Sequence, residues 1–205
     1  MRSQNDKATW SILRFDHRTF TAQLASMQRN KQVAAIPEKY IYIDDCCYKG
    51  NGKIKEIILP SGCRIIGKEA FASCQLRKPV VFPQTVKEIK ESAFSENHSL
   101  REVTFPASLE ILGDYSYKGC TALKKVAFET SSECRRIPEC CFHSCTQLSK
   151  VVFPEHLILS RLVDTFFSRI SPTMQLPPKH HSIAYVLPWA EGLHWQSRSS
   201  GCSNS

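Results

Sequence analysis

The sequence predicts an α/β-type repeat solenoid, in which short coils stack on one another and share a parallel sheet. The first observation is that one aromatic residue recurs at separations of 23, 23, 23, 25 and 25 residues, at Tyr48, Phe71, Phe94, Tyr117, Phe142 and Phe167. The second is that aliphatic residues keep a fixed distance from this aromatic in successive units. A unit of this length cannot bury its own apolar side, so the units have to stack and share one core.

Each unit predicts one short strand that is usually followed by proline. Apolar residues stand nine and eleven positions after the anchor aromatic, as Val103 and Phe105 do, and Pro106 follows them. This alternation is typical of a strand with one buried side. A further aliphatic column precedes the aromatic by five positions, in the turn and bend that complete the coil: Ile43, Ile66, Ile89, Leu112, Ile137 and Leu162. The period lies within the range of about 20–29 residues of leucine-rich repeats.

The clearest unit reads Ile-Gly-Lys-Glu-Ala-Phe-Ala-Ser-Cys from Ile66 to Cys74. With the following strand, this pattern resembles the BspA-like leucine-rich repeats of bacterial and protist surface proteins, over about residues 34–170. Three positions depart from it: Ile54 replaces a leucine, Leu76 arrives one residue early, and Glu129 replaces the proline after the strand. The resemblance implies a leucine-rich-repeat coil stack that acts as an adhesin or binding module at a cell surface, without catalysis.

The two ends of the chain predict different structures from the middle. In residues 1–33, apolar or aromatic residues recur every three or four positions, which predicts a helical cap on the first coil: Trp10, Leu13, His17, Phe20, Leu24 and Met27. The alternatives are a pair of strands through Trp10 to Phe15, or a basic helix lying on a membrane. Residues 34–170 form the predicted solenoid of about five and a half units. Residues 171–205 contain four prolines and a serine-rich end, which predict an irregular tail.

Composition and charge narrow the class of protein. Of the 205 residues 42% are hydrophobic, which is compatible with a folded core, and no apolar run approaches the ~20 residues of a membrane helix. The N-terminus also lacks the apolar stretch of a secretory signal. Half of the net charge of +8 falls within residues 1–35, and the anchor aromatics are assigned to the core, so the pattern does not favour nucleic acid as a partner. The resemblance implies a cell-surface location, whereas the missing signal and the many cysteines favour the cytoplasm, and both remain open.

The ten cysteines are interpreted mainly as small core residues. Cys134, Cys140, Cys141, His143 and Cys145 are dense enough to resemble metal ligands. The repeat register instead places seven cysteines in core columns: Cys47, Cys63, Cys74, Cys120, Cys134, Cys141 and Cys145. A disulfide between Cys120 and Cys145 is left open, because residues of one column on neighbouring coils lie about one strand spacing apart. Cys46, Cys140 and Cys202 fall outside these columns.

No motif predicts an enzyme, a metal site or a cofactor. The chain has no phosphate-binding glycine loop, no nucleophile elbow and no zinc-protease helix motif, and its acids and histidines are scattered over the register. Asn97-His98-Ser99 spells a glycosylation sequon, but Asn97 occupies the column of Cys74 and Cys120. We expect its side chain to bond the turn backbone inside the coil. His180 and His181 lie in the poorly patterned tail and are interpreted as a solvated pair.

The exposed face of the predicted sheet is the candidate partner-binding surface. Positions eight and ten after the aromatic alternate with the buried ones, and position ten carries an apolar-leaning stripe of Ile58, Val81, Thr104, Ala127 and Val152. Position seven adds a basic column of Lys55, Lys78, Arg101 and Lys124 at the strand edge. An apolar patch with a polar rim is a common feature of protein interfaces. The sequence therefore predicts a non-catalytic protein-binding module, and the resemblance implies that it is adhesin-like. The alternatives are an intracellular scaffold or regulatory subunit that uses the same face, and a truncated family copy without a partner of its own.

Overall fold

The computed structural model describes residues 24–25, 27–138 and 140–153, and these form a stack of about five coils. The described residues contain nine short strands: β1 Val33–Ala35, β2 Tyr42–Ile43, β3 Glu56–Ile58, β4 Ile65–Ile66, β5 Glu88–Ile89, β6 Glu102–Phe105, β7 Ile111–Leu112, β8 Lys125–Phe128 and β9 Lys150–Val152. Every strand pair is parallel. The predicted coil stack with a parallel sheet is therefore confirmed.

The predicted strand after each anchor aromatic forms the row that we call the front strands: β1, β3, β6, β8 and β9. Their pairing follows the repeat register, so that Val103 lies beside Val126 and Val126 beside Val151. In β6 the side chains alternate between exposed and buried, with Val103 and Phe105 inside. Burial of one side chain in two is what aligns neighbouring coils, because a shift by one residue would expose the whole apolar column.

A second row of strands was missed from the sequence. The column five positions before the aromatic lies in β2, β4, β5 and β7, which form a continuous four-stranded parallel sheet. The prediction of one strand per coil was wrong here, since a strand of two residues is too short to show alternation. Close packing of the coils explains the glycine after this column, because a Cβ on Gly113 would clash with the backbone nitrogen of Glu91.

The front strands are interrupted at the third coil. β1 and β3 form one sheet, β6, β8 and β9 form another, and the segment around Val80 belongs to neither. Pro79 occupies position eight of this coil and has no N–H with which to continue the ladder. In the second coil, the N–H groups of Lys55 and Glu56, at positions seven and eight, both donate to the carbonyl of Gln32. In the third coil the N–H groups that donate to the preceding coil, at the Lys55 carbonyl, are those of Arg77 and Lys78, at positions six and seven. The early Leu76 accompanies this one-residue shift.

The aromatic column keeps the core continuous across this interruption. Neighbouring anchor rings stack with centroids 5.3 to 5.7 Å apart from Tyr48 through Phe142. Phe82, which follows the interrupted strand, packs edge-on against Phe94 at 5.8 Å and stacks on Phe105 at 6.0 Å. The coils therefore share one hydrophobic core even where they share no ladder.

The segment around each anchor aromatic, which we call the turn side, has its own ladder of hydrogen bonds. Residues two positions before and two after the aromatic have a left-handed backbone in most described coils, for example Ser92 at φ 54° and Glu96 at φ 57°. Alternate N–H groups then donate to the next coil: Ser92 to Asp114, Phe94 to Ser116 and Glu96 to Lys118, at 2.7 to 2.9 Å. The same pattern joins each described coil to the next one.

The N-terminal end of the stack is closed in part by residues just before β1. Gln28 is buried, donates from Nε2 to the Ala35 carbonyl at 2.8 Å, and accepts from the Tyr48 hydroxyl at 2.9 Å. Leu24 packs partly buried against the core, whereas Met27 is exposed. Outside the described residues lie the other apolar and aromatic positions of the predicted cap helix (Trp10, Leu13, His17 and Phe20), the sixth unit around Phe167 and the predicted tail 171–205.

In the part of the chain that the structure describes, no helix has both the length and the apolar character needed to span a bilayer.

Candidate binding face

The predicted apolar stripe lies on the outer side of the front strands. Val81 is 79% exposed and Ile58 is 52% exposed, and the two residues lie in coils that are next to each other. Thr104 is also exposed, whereas Ala127 and Val152 are half-buried. The structure therefore places all five residues on one face, with the largest apolar exposure at the second and third coils.

Strand register aligns the stripe into two short rows. Ala35 lies directly beside Ile58 in β1 and β3, and Thr104, Ala127 and Val152 lie side by side in β6, β8 and β9. Val81 stands between the two rows, in the coil where Pro79 interrupts the ladder. Ala35 is exposed and extends the stripe by one coil, although it was not among the residues predicted from the sequence to contact a partner. The Ala34-Ile36-Pro37 spacing, which repeats the strand pattern one unit earlier, was the signal that could have found it.

The basic column is present but not uniform. Arg101 and Lys124 are exposed, whereas Lys55 is half-buried. Lys78 forms an ion pair of 2.6 Å with Glu56 of the preceding coil, so its charge is partly neutralised. The exposed positive charge of this edge that forms no ion pair therefore lies at Arg101 and Lys124.

Two exposed lysines next to the predicted contacts were not among them. Lys125 and Lys150 occupy position eight, start β8 and β9, and are direct neighbours in the ladder. Position eight in the earlier coils holds Glu56, Pro79 and Glu102, so the column alone does not read as basic. Only the strand register brings the two lysines together.

The cysteine column of the turn side is a set of buried hydrogen-bond donors. Three thiols donate to the carbonyl of the anchor aromatic in the preceding coil: Cys74 to Tyr48 at 3.3 Å, Cys120 to Phe94 at 3.3 Å and Cys145 to Tyr117 at 3.2 Å. Burial raises the pKa of the Cys74 and Cys120 thiols to about 12, and it raises the pKa of Cys145 further. A thiol that stays protonated is a poor nucleophile and a poor metal ligand.

The sequence left open a disulfide between Cys120 and Cys145. The structure contradicts it, since both residues are free thiols. Two of the other dense cysteines have contacts of their own, and Cys140 is disulfide-bonded. Cys141 is fully buried and lies 3.1 Å from the Ser116 hydroxyl, and Cys134 donates to the Arg136 carbonyl at 3.4 Å. Among the described residues, no group of three or more histidine, cysteine or acidic side chains could hold a metal ion.

Asn97 replaces a cysteine in this column, and its side-chain amide donates to backbone carbonyls as the thiols do. Its Nδ2 donates to the carbonyls of Phe71 and Phe94 at 2.9 Å, and its Oδ1 accepts from the Leu76 N–H at 3.4 Å. The side chain is fully buried. The expectation that it bonds the turn backbone is confirmed, and the sequon it begins is inaccessible in the folded chain.

The first coil departs from the predicted burial of its cysteines. Cys47, assigned to a core column, is only half-buried, and Cys46 is exposed. Cys46 lies 3.5 Å from a carboxylate oxygen of Glu69, which also pairs with Lys49 at 2.7 Å. Partial burial and this carboxylate raise the pKa of the Cys46 thiol, so the exposed thiol is not activated.

Comparison with known families agrees with the coil geometry. A family model described as BspA type leucine rich repeat region, with 6 copies, matches residues 26–79 and 65–175. The chain belongs to this family of leucine-rich-repeat proteins, which are generally non-catalytic. No curated protein matches the chain significantly.

Three solved structures of bacterial proteins are similar to this chain. The pneumococcal vaccine antigen PcpA is 18% identical with a TM-score of 0.56, over 75% of this chain and 42% of that one. A leucine-rich repeat protein of T. pallidum is 21% identical with a TM-score of 0.52, over 70% of this chain and 87% of that one. A leucine-rich repeat protein of Bacteroides ovatus is 22% identical with a TM-score of 0.46, over 60% of this chain and 37% of that one. At these identities the likeness concerns the fold.

Proposed function

We propose that this chain is a non-catalytic protein-binding module whose partner docks on the outer side of the front strands. The observation that carries the proposal is the exposure of Val81 and Ile58 on neighbouring coils of an otherwise regular face. A soluble monomer usually hides large aliphatic side chains, and contiguous exposed ones mark interaction surfaces. Leucine-rich-repeat domains generally bind proteins, which agrees with this use of the face.

The proposed setting of this binding is adhesion at a cell surface. The family and the vaccine antigen among the structural neighbours support it. An intracellular scaffold is the second candidate. The eight free thiols among the described residues favour it, since unpaired cysteines persist in a reducing compartment, whereas the disulfide-bonded Cys140 favours the cell surface. Labelling intact source cells with a membrane-impermeant amine reagent separates the two. Tagging of the protein supports the surface, and an untagged but expressed protein supports the scaffold when a cytosolic marker is also untagged.

The binding face is tested by photo-crosslinking from single positions. A benzoylphenylalanine at position 81 should capture a partner protein, whereas the same group at position 111, exposed on the second row of strands, should not. Capture from position 81 should disappear when Val152→Asp is added, because a charge on the stripe opposes apolar contact. The captured protein is then purified and its binding to the native chain is measured directly.

Circular dichroism and thermal unfolding of Val81→Asp and Val152→Asp provide the control for folding. Val81 is exposed, so we expect Val81→Asp to change stability by no more than about 0.5 kcal/mol, whereas the half-buried Val152→Asp should cost about 1 kcal/mol and still fold. Intact binding of the purified partner by both folded variants would show that the front face is not the docking surface.

A further inference from the structure

The later front strands carry a cluster of positive charge that we call the basic patch, defined by Arg101, Lys124, Lys125 and Lys150. All four side chains are exposed. The strand register places Lys125 directly beside Lys150, and the backbone of Lys124 bonds the carbonyl of Arg101 at 2.7 Å. Arg101 and Lys124 directly precede β6 and β8, and Lys125 and Lys150 begin β8 and β9. Neighbouring parallel strands lie ~4.8 Å apart, so the four residues occupy adjacent positions where these three strands begin.

The positive charge of this patch is not neutralised internally. Within residues 27–138 and 140–153, none of the four cations forms an ion pair, and Glu102, beside Lys125 in the ladder, is the one acid in the same two columns of these three strands. The corresponding edge of the earlier coils is different, because Lys78 pairs with Glu56 at 2.6 Å. Like charges placed side by side on neighbouring strands repel each other. A ligand with carboxylates would relieve this repulsion in the bound state.

The surroundings of the patch indicate what kind of anion it fits. The half-buried aliphatic side chains of Ala127 and Val152 lie two residues along the same strands, on the same face as Lys125 and Lys150. The aromatic residues of these strands, Phe105 and Phe128, are buried and cannot stack on bases. A flat basic edge next to aliphatic side chains is complementary to a protein segment that alternates acidic and aliphatic residues.

We infer that the partner of the front face docks with an acidic segment, whose Asp or Glu side chains contact the basic patch while neighbouring aliphatic residues contact the stripe. This inference rests on the proposed function and specifies the chemistry of the partner. Because the contact is electrostatic at an exposed edge, its affinity falls as salt is added.

The test uses the full chain and a fluorescein-labelled peptide of repeated Glu-Glu-Val triplets, followed by fluorescence anisotropy. We expect binding that weakens with salt, and roughly tenfold or greater weakening in the double variant Lys125→Glu, Lys150→Glu. Lys125→Gln, Lys150→Gln should show a smaller loss. The matched control is Arg64→Glu, Arg135→Glu, which changes the net charge equally at exposed positions outside the front strands. It should bind the peptide as the native chain does.

Equal loss in the patch and control variants would overturn the inference, since net charge alone would then explain the binding. No binding of the peptide by the native chain, or tighter binding of duplex DNA or phosphatidylserine vesicles, would overturn it as well. A partner captured from position 81 whose affinity is unchanged in the folded Lys125→Gln, Lys150→Gln variant would refute the acidic segment and leave the front face standing. If Val81→Asp abolishes binding of the captured partner and the patch variants do not, the acidic segment is likewise refuted and the front face is still the docking surface.

Discussion

The turn side and the front strands of the same coils are held together differently. On the turn side, N–H groups of every described coil donate to carbonyls of the next, and a buried cysteine or asparagine reinforces most of these contacts. On the front, the ladder stops at the coil of Pro79 and begins again at β6. The difference teaches that the front ladder can be interrupted while the turn side and the aromatic core stay continuous. The front strands are therefore free to vary in sequence and to carry the proposed binding face.

Removing a ring from the aromatic column should have the largest effect. Phe94 is fully buried and contacts Phe71, Phe82 and Tyr117. We expect Phe94→Ala to lower the free energy of unfolding by about 3–5 kcal/mol, because it leaves a cavity at the coil where the front ladder is absent. Urea unfolding followed by circular dichroism measures it. Val81→Ala is the matched change on the front of the same region, and a comparable loss there would contradict the comparison.

Alkaline pH should weaken the stack through its buried thiols, including those of the turn side. Burial raises the pKa of Cys74 and Cys120 from an ordinary 9.0 to about 12, so the folded chain retains protons that the unfolded chain has lost. The contribution of these protonated thiols to the free energy of unfolding is complete below pH 9. It is lost as pH rises toward 12, by up to about 1.4 kcal/mol per pH unit for each thiol. Cys120→Asn, which copies Asn97, should reduce this slope, as measured by urea unfolding between pH 8 and pH 10.5. An unchanged slope would show that the thiols do not set the alkaline limit.

Deleting a buried side-chain donor from the turn side should cost less than removing a ring. Asn97→Ala removes the amide that bonds the Phe71 and Phe94 carbonyls, and we expect a loss of about 1–3 kcal/mol in the free energy of unfolding. Asn51 holds the same column in the first coil but is only half-buried and accepts from the Lys53 N–H at 3.3 Å. Asn51→Ala should therefore cost clearly less in the same chemical unfolding assay. Equal losses would mean that burial of the donor is not what matters.

One hydroxyl on the turn side should be dispensable. The Tyr117 hydroxyl is buried and has no hydrogen-bond partner among the described residues, and Phe71, Phe94 and Phe142 fill the same column without one. We expect Tyr117→Phe to raise stability by about 1 kcal/mol, since a buried polar group without a partner is costly. The midpoint of thermal unfolding should rise accordingly. A fall would reveal a partner for this hydroxyl.

Restoring the donor in the interrupted front strand should have the smallest effect on stability. Pro79→Glu reproduces the residue found at this position in the second and fourth coils. A new ladder bond is worth about 1 kcal/mol, and loss of the proline's restriction of the unfolded chain offsets part of it. Hydrogen exchange should nevertheless slow at the amides of Val80 and Val81. Unchanged exchange would show that the missing N–H is not the reason for the interruption.

The repeat register carried most of the prediction. It located the front strands, the aromatic column, the buried role of Asn97 and the burial of six of the seven assigned cysteines, because each depends on a side chain that recurs at one position. It missed the second row of strands, whose two-residue length contains no alternation, and Cys47, whose first coil has fewer neighbours to cover it. The cap around Trp10 and the tail remain predictions.

The sequence by itself determined the coil stack and which side chains face its core, because positions that are buried in every coil carry apolar residues at a fixed spacing along the chain. It also determined that positions eight and ten of the front strands face outward. Only the tertiary structure decided which charges on that face are free. The Lys78 charge is neutralised by a glutamate 22 residues away in the chain, and Lys125 and Lys150 become neighbours only when two coils stack. Whether a charge is compensated depends on distances between coils, and those distances are set by packing rather than by order along the chain.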